Sequence, residues 1–598
     1  MTQTLLKEGM KYMMLPGELK IHTLCHDKLP DQEYDAQGIP FGIQPDPENP
    51  YRDSLGNCRS VAVYRPSSLE PLSIVRGLFV VGDTEDREAL EKLMVESCLA
   101  DMAERYKMFV IFPLPGAGGW NVEMRPDGPD DVDVLHQVLL AARLWYLFPD
   151  RENCHEDVLG MVGVGRGADM AQLAVAAHPE HVHSLMTFGG ELNVAQIPGD
   201  AQDSQVFVWQ VNPQGDSAQY WMRCDGVTGA SPLHQGDTRA WRDPNNFALQ
   251  VRVSRTLREG LDPAMLYRFW EDALSKNMRI PDAGHGKIYN EESLLGPYHP
   301  SIHKRDRCLG DNGGMAHDWL ELVPERVLAG FAQKGSRCPL VISMHGGGSW
   351  PEIAAAESQL HLLGEEMGFI TVYPNASRSN SWNSVMRDDR PDDVAFIVAL
   401  VEHMKQRYPV DPTRVYVSGF SNGSGMAHLM AAIRPDLFAG LIAFNTRFPI
   451  KQYVFDLAGK AKEKADYRMP VFSTYGTRDA EYPLQEGCGQ FSQMRLWKWF
   501  NNIEDKPLNP QDPSGVGAPG DRTLRWGAQE AEGQMPFTTH SYLTRDPSHL
   551  NLYNYTLVEG LPHTVDRRLT RHGWNFVAQF TRQPDGSLGF VPNPHRVI

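Results

Sequence analysis

The chain contains its own pattern twice, and that repetition limits the fold more than any other feature. Residues 119–132 read GWNVEMRPDGPDDV and residues 381–394 read SWNSVMRDDRPDDV, with Trp, Asn, Met, Arg, Pro and Asp-Asp-Val in one register. Further on, GVGRGADMAQLA (163–174) matches GFSNGSGMAHLM (419–430), and His178-Pro179-Glu180 falls on Arg434-Pro435-Asp436. A single short insertion, in FPDRENCHED before residue 158, accounts for the change of register between the blocks. Chance explains one such match; several in order are explained by a duplication. At 598 residues the chain also exceeds what one core holds. The expected domains are 1–300 and 301–598.

Each copy alternates apolar strand candidates with helical patterns. In the second, CPLVISM (338–344), FITVYP and TRVYVSG read as strands, and DDVAFIVALVEHMKQRY as a helix. SNGSGMAHLMAAIR places Met426, Leu429, Met430 and Ile433 at helical spacing. The first copy repeats this with GLFVVG, FVIFP, VLGMVG and a helix carrying Met170, Leu173, Ala174 and Ala177. Strands alternating with helices predict an α/β class: two tandem domains, each a mostly parallel sheet with helices on both faces. Asp262-Pro263 signals a helix start in the Pro- and Gly-rich region from about 230 to 315.

The chemistry concentrates in the second copy. Gly419-Phe420-Ser421-Asn422-Gly423 is a G-x-S-x-G between a strand and a helix, the context in which the turn lifts a serine hydroxyl above a sheet. Upstream, His345-Gly346-Gly347-Gly348 ends a strand, and glycines there let N–H groups approach a developing oxyanion. The expected donors are the Gly347 region and the Asn422 N–H. A serine needs a base, and the base an orienting acid. Asp479, in the turn after MPVFSTYG, is the expected acid, with Glu481 its rival. Of His540, His549, His563 and His572, the base is expected at His563. It follows a strand with alternating Tyr553, Tyr555 and Leu557, whereas His572 reads as the start of a terminal helix.

Together, HGGG, YPNASRSNSWN, the stretch 392–431, YGTRD and GLPHTV followed by GWNFVAQFTR resemble the polyhydroxybutyrate-depolymerase and feruloyl-esterase branch of the α/β-hydrolases. The resemblance covers most of 315–598. It implies a carboxylic ester hydrolase working through an acyl-enzyme on Ser421, Asp479 and His563, with no metal or organic cofactor. It also matches Trp382 and Asn383 to a Trp-Asn pair near the family's site and makes them substrate-binding candidates, although Trp120 and Asn121 in the other copy favour a structural part. Two departures stand out. Gly423-Ser424 replaces the family's Gly-Gly, and a Pro/Gly-rich segment at 505–548 reads as an insertion that could serve as a lid.

The first copy is expected to be catalytically degenerate. Gly165-Arg166 stands at the position of Ser421-Asn422, and Val81-Gly82-Asp83-Thr84 replaces the glycine run. The partner expected for the chain is a small-molecule or oligomeric ester. Its formal charge of −18 argues against nucleic acid. No long apolar run predicts a membrane span. The N-terminus shows no apolar signal region, and the eight cysteines are scattered as reduced thiols would be, which together predict a cytoplasmic protein. Homo-oligomerisation is compatible with all of this. Two other function classes stay open: a serine peptidase of prolyl-oligopeptidase type, and a binding or scaffold protein.

Overall fold

The computed structural model describes residues 15–28, 44–69, 73–143, 152–198, 205–282, 284–296, 302–308, 316–376, 380–446, 450–480, 482–509, 511–512, 516–526 and 535–590. The chain divides into two compact units. The first takes most residues up to Leu294, and the second those from Leu295 onward together with 280–284. The boundary therefore falls a few residues before the one expected from sequence.

Each unit is built on a ten-stranded sheet. In the first, β1 (Glu18–Thr23), β2 (Ser60–Arg65), β3 (Ile74–Val81), β4 (Phe109–Pro113) and β5 (Asn153–Val164) are followed by β6 (Ser184–Phe188) and β7 (Phe207–Val211). Then come β8 (Leu233–Gln235), β9 (Thr238–Arg242) and β10 (Gln250–Ser254). Their order is β1-β2-β4-β3-β5-β6-β7-β10-β9-β8. The second sheet has β11 (Ile302–Cys308), β12 (Ala316–Leu322), β13 (Cys338–Met344), β14 (Ile370–Pro374) and β15 (Val410–Phe420). It continues with β16 (Gly440–Phe444), β17 (Val471–Gly476), β18 (Arg522–Trp526), β19 (Phe537–Leu543) and β20 (Asn551–Val558). Its order, β11-β12-β14-β13-β15-β16-β17-β20-β19-β18, is the same pattern. In both sheets the middle strands run parallel and the edges antiparallel.

Parallel strands joined by helical crossovers are covered on both faces, so their side chains are buried in continuous runs. Every residue of β6, β7, β16 and β17 is buried. In the first unit Val61, Val63, Phe79 and Val81 pack against α1 (Asp131–Arg143) and α2 (Arg166–Ala177). The alternate residues Ala62, Tyr64, Leu78 and Val80 face Leu90, Met94, Leu99 and Met102 on the other side. In the second unit α3 (Asp393–Arg407) and α4 (Ser421–Ile433) cover one face. On the other, Trp574 of α5 (Arg567–Val577) meets the rings of Phe369 and Tyr416. These are two α/β-hydrolase folds in tandem.

Four local expectations resolve differently or more sharply. The helix at 263 forms, with Asp262 accepting from the Ala264 and Met265 N–H groups. The segment 505–548 is not all loop, because β18 and β19 lie in it and form the sheet edge, as β8 and β9 do in the first unit. β20 does not alternate between core and solvent. All eight of its residues are buried, since β17 and β19 flank it and both faces are covered. His572 lies inside α5, which starts at Arg567 behind an Asp566 cap. Among the described residues no helix is long and apolar enough to cross a membrane.

Candidate active site

β15 ends at Phe420 and α4 begins at once with Ser421, whose φ is 50°. A left-handed backbone at a serine is strained, and the surroundings must enforce it. They do so through close backbone approach: a Cβ on Gly419 would run into the Gly423 backbone, and one on Gly423 into the carbonyls of Met344 and His345. The glycines of the motif are therefore steric requirements of this turn, and the turn raises the hydroxyl at the end of the sheet.

Two loops converge on that hydroxyl. Asp479 follows β17 and His563 follows β20, adjacent parallel strands. The loops are tied by Arg478 N–H to Leu561 O at 3.1 Å and Thr477 N–H to Val558 O at 3.0 Å. His563 Nε2 lies 2.9 Å from Ser421 Oγ, and its Nδ1 lies 2.6 Å from Asp479 Oδ2. An ionised carboxylate only accepts, so the imidazole proton sits on Nδ1 and the Nε2 lone pair faces the serine. Asp479 is buried, and its other oxygen accepts from the Ala480 N–H at 2.7 Å. Ser421 and His563 are half-buried, so the reacting end stays reachable. The structure thus brings Ser421, His563 and Asp479 together. Glu481 lies outside the described residues. His540 is buried in β19, His549 sits in the turn before β20, and His572 is within α5.

The glycine turn stands beside the nucleophile. A Cβ on Gly346 would sit 3.6 Å from the Ser421 Cβ, and one on Gly347 would sit 3.4 Å from the Asn422 Cβ. The Asn422 N–H, in the first turn of α4, has no intrahelical acceptor and points with the positive end of the helix. His345 is fully buried and braces this turn. Its Nε2 accepts from the Ala376 N–H at 3.0 Å and its Nδ1 donates to Gly346 O at 2.6 Å, which fixes a neutral tautomer. Within α4, burial pushes the His428 imidazole down to about 3, and its Nδ1 accepts from Trp497 Nε1 at 2.8 Å.

Trp382 and Asn383 are engaged in scaffolding. Trp382 Nε1 donates to His345 O at 2.9 Å, and its N–H donates to the Asn422 side chain at 2.6 Å. The Asn383 N–H donates to Asp393 at 2.7 Å, and its amide spans Arg387 O and Pro391 O. The first unit repeats this bonding with Trp120 to Gly82 O at 2.6 Å and Asn121 to Asp131 at 2.7 Å. A pair that is built identically where no nucleophile exists serves the loop. Both side chains are buried, Trp382 at 1% and Asn383 at 5% exposure, so neither is presented to a substrate.

The sequence reading missed Asn445. It follows β16, and its amide donates at 3.2 Å to Asp479 Oδ2, the same oxygen that His563 Nδ1 meets. Its own φ is 46°. The first unit has Gly189 at the same corner, so comparing the two copies in register past β16 would have exposed it.

The first unit lacks the nucleophile and the base. Gly165, φ 63°, occupies the elbow. Asp83 fills the place where an anion would bind, accepting from Arg166 N–H at 3.1 Å and Gly167 N–H at 2.9 Å. After β10 the chain reads Glu259-Gly260-Leu261-Asp262-Pro263, against Glu559-Gly560-Leu561-Pro562-His563 after β20. Gly260 and Gly560 share positive φ (71° and 76°), so a proline stands where the histidine does.

Strand order, elbow and converging loops define the second unit as an α/β-hydrolase with a serine-histidine-aspartate constellation. Residues 328–447, which include the glycine turn and Ser421, match the family described as Esterase PHB depolymerase. Poly(3-hydroxyalkanoate) depolymerase C of Paucimonas lemoignei is 36% identical over 114 residues, 18% of this chain and 27% of that protein. Feruloyl esterase B of Thermothelomyces thermophilus is 25% identical over 207 residues, 30% of this chain and 70% of that protein. Acetylxylan esterase of Coprinopsis cinerea is 30% identical over 201 residues, 29% of this chain and 54% of that protein. A solved acetyl xylan esterase from Aspergillus awamori covers 46% of this chain and 99% of its own at 17% identity and TM-score 0.35, so the fold assignment rests on the strand order above. The chain thus spans about a quarter of the first relative and about half of the third. The second unit is similar to the PHB-depolymerase and feruloyl-esterase branch.

Proposed function

We propose that this chain is a serine-dependent carboxylic ester hydrolase acting through an acyl-enzyme. The observation that carries the reading is the unbroken relay from Ser421 Oγ through His563 to Asp479, with contacts of 2.9 and 2.6 Å. Ser421 Oγ attacks the ester carbonyl carbon while His563 Nε2 takes the hydroxyl proton, and Asp479 stabilises the imidazolium. The Asn422 N–H and the Gly347 region face the developing oxyanion. Collapse expels the alcohol, which leaves with the proton from His563. Water, deprotonated by the same imidazole, then hydrolyses the acyl-serine.

Substrates of the hydroxyalkanoate-oligomer and aryl- or acyl-ester classes suit the reading, because the similar proteins are named for such esters. A panel of p-nitrophenyl esters, hydroxybutyrate oligomers, feruloyl esters and matched amides tests both the activity and its class. Wild type is expected to turn over esters far faster than amides, and Ser421→Ala to lose about four orders of magnitude or more in kcat. A fluorophosphonate is expected to add once per chain, at Ser421. Label that survives in Ser421→Ala, or that maps to the first unit, defeats the assignment.

A further inference from the structure

The first unit carries a histidine cluster that the reaction above does not use. His178 caps the end of α2, Glu180 and His181 lie in the short turn Pro179–His181, His136 projects from α1, and His285 comes from a later loop of the same unit. Glu180 is at the centre. Its Oε1 stands 3.4 Å from His178 Nδ1 and 3.6 Å from His181 Nε2, and its Oε2 stands 3.1 Å from His285 Nδ1. His136 Nδ1 lies 2.9 Å from His178 Nδ1. One ligand atom each from His136, Glu180 and His181 lies within 4.8 Å of the others. Tetrahedral ligands at zinc–nitrogen and zinc–oxygen bond lengths stand about 3.4 Å apart. The two spacings from Glu180 Oε1, 3.4 and 3.6 Å, lie close to that value.

The second unit supplies the control. In register, His136 becomes Val398, and His178, Glu180 and His181 become Arg434, Asp436 and Leu437. There the corner is closed by a bidentate ion pair, Arg434 Nε to Asp436 Oδ1 at 2.9 Å and Nη2 to Oδ2 at 2.8 Å. Val398 packs partly buried against the core, and Leu437 is buried. The fold therefore does not need histidines at this place. The first unit keeps the carboxylate but replaces its permanent cation with imidazoles converging from separate elements. Imidazole nitrogens and one carboxylate are the donor set that first-row divalent ions prefer.

We propose that this corner binds one divalent transition-metal ion, with Zn2+ the best chemical match. His136, Glu180 and His181 are the ligands and His178 is placed for the fourth position. His285 holds the second oxygen of Glu180, as an orienting partner does in metal sites. The ion ties α1 to the end of α2 and takes no part in ester chemistry.

The test uses the full chain, stripped with EDTA, dialysed and titrated with Zn2+ alone against a chromophoric chelator. Uptake of one equivalent is expected, with a rise in Tm. Co2+ in place of Zn2+ is expected to give the intense visible bands of tetrahedral coordination. His136→Gln and Glu180→Gln are each expected to weaken Zn2+ binding at least tenfold, with circular dichroism reporting that they fold. His285→Gln, on a half-exposed loop, gives a second variant that leaves the core intact and is expected to weaken binding less. His563→Ala separates this site from the triad histidine and is expected to bind as wild type does. Absence of stoichiometric uptake, uptake unchanged in both His136→Gln and His285→Gln, or uptake lost in His563→Ala overturns the proposal.

Discussion

Asn445 sits in a left-handed backbone position, φ 46°, where the first unit has Gly189 at φ 76°. Asparagine tolerates that region better than most residues, and here it adds an amide that reaches the acid. Asn445→Gly keeps the backbone and removes only the amide. It is expected to lower kcat about ten- to a hundredfold through misplacement of Asp479, with KM little changed and fluorophosphonate labelling still at Ser421 but slower. Unchanged kcat would mean that Ala480 and His563 suffice to hold the carboxylate. The nucleophile itself was legible from sequence because its signal is local: glycines two residues either side, a strand before and a helix after. Asn445 was not, because its role exists only where a corner after one strand meets a loop after the next.

At the scale of the element, the two elbows show what one helix N-terminus does with and without a nucleophile. Both turns have positive φ and a helix that begins at once. In α4 the first N–H groups lie beside Ser421, where the proposed mechanism assigns them to the oxyanion. In α2 they are occupied by the carboxylate of Asp83, which makes the arrangement a permanent cap. Asp83→Ala is expected to cost about 1 kcal/mol and to speed hydrogen exchange of the 166–177 amides, while ester turnover stays as in wild type. A loss of turnover in that variant would contradict the separation of roles drawn between the units. The helical pattern of α4 suggested one apolar stripe, but residues 422–432 are all buried. Periodicity reports the face turned to the sheet; that the opposite face is also covered depends on elements distant in sequence, such as the helix at Gly489–Phe500, whose Trp497 donates to His428.

Across the whole molecule, several histidines are buried neutral. Burial pushes His428 to about 3, and also lowers His317, His540 and, well below its ordinary range, His183. Unfolding exposes them to water, where they protonate near pH 6.5. Below that pH the unfolded chain therefore binds more protons than the folded one. The stability they contribute is complete above about pH 6.5 and is lost as pH falls, by up to about 1.4 kcal/mol per pH unit for each. The Tm of wild type is expected to drop more between pH 7.5 and 5 than that of His428→Gln, and equal drops would remove His428 from this account.

The repeat, the serine elbow and the strand-helix alternation are properties of neighbouring residues, so the sequence by itself determined that the chain holds one α/β fold twice and carries the serine elbow only in its second copy. Edge strands were harder to see: β18 and β19 lie in a Pro/Gly-rich stretch, where hydrogen bonding of β19 to β20 and of β18 to β19 overrides weak local preference. Only the tertiary structure decided that Trp382 and Asn383 serve their own loop, that Asn445 steadies the acid, and that His136, His178, Glu180, His181 and His285 meet. Each of these depends on side chains brought together from segments far apart along the chain, and a one-dimensional pattern does not record such distances.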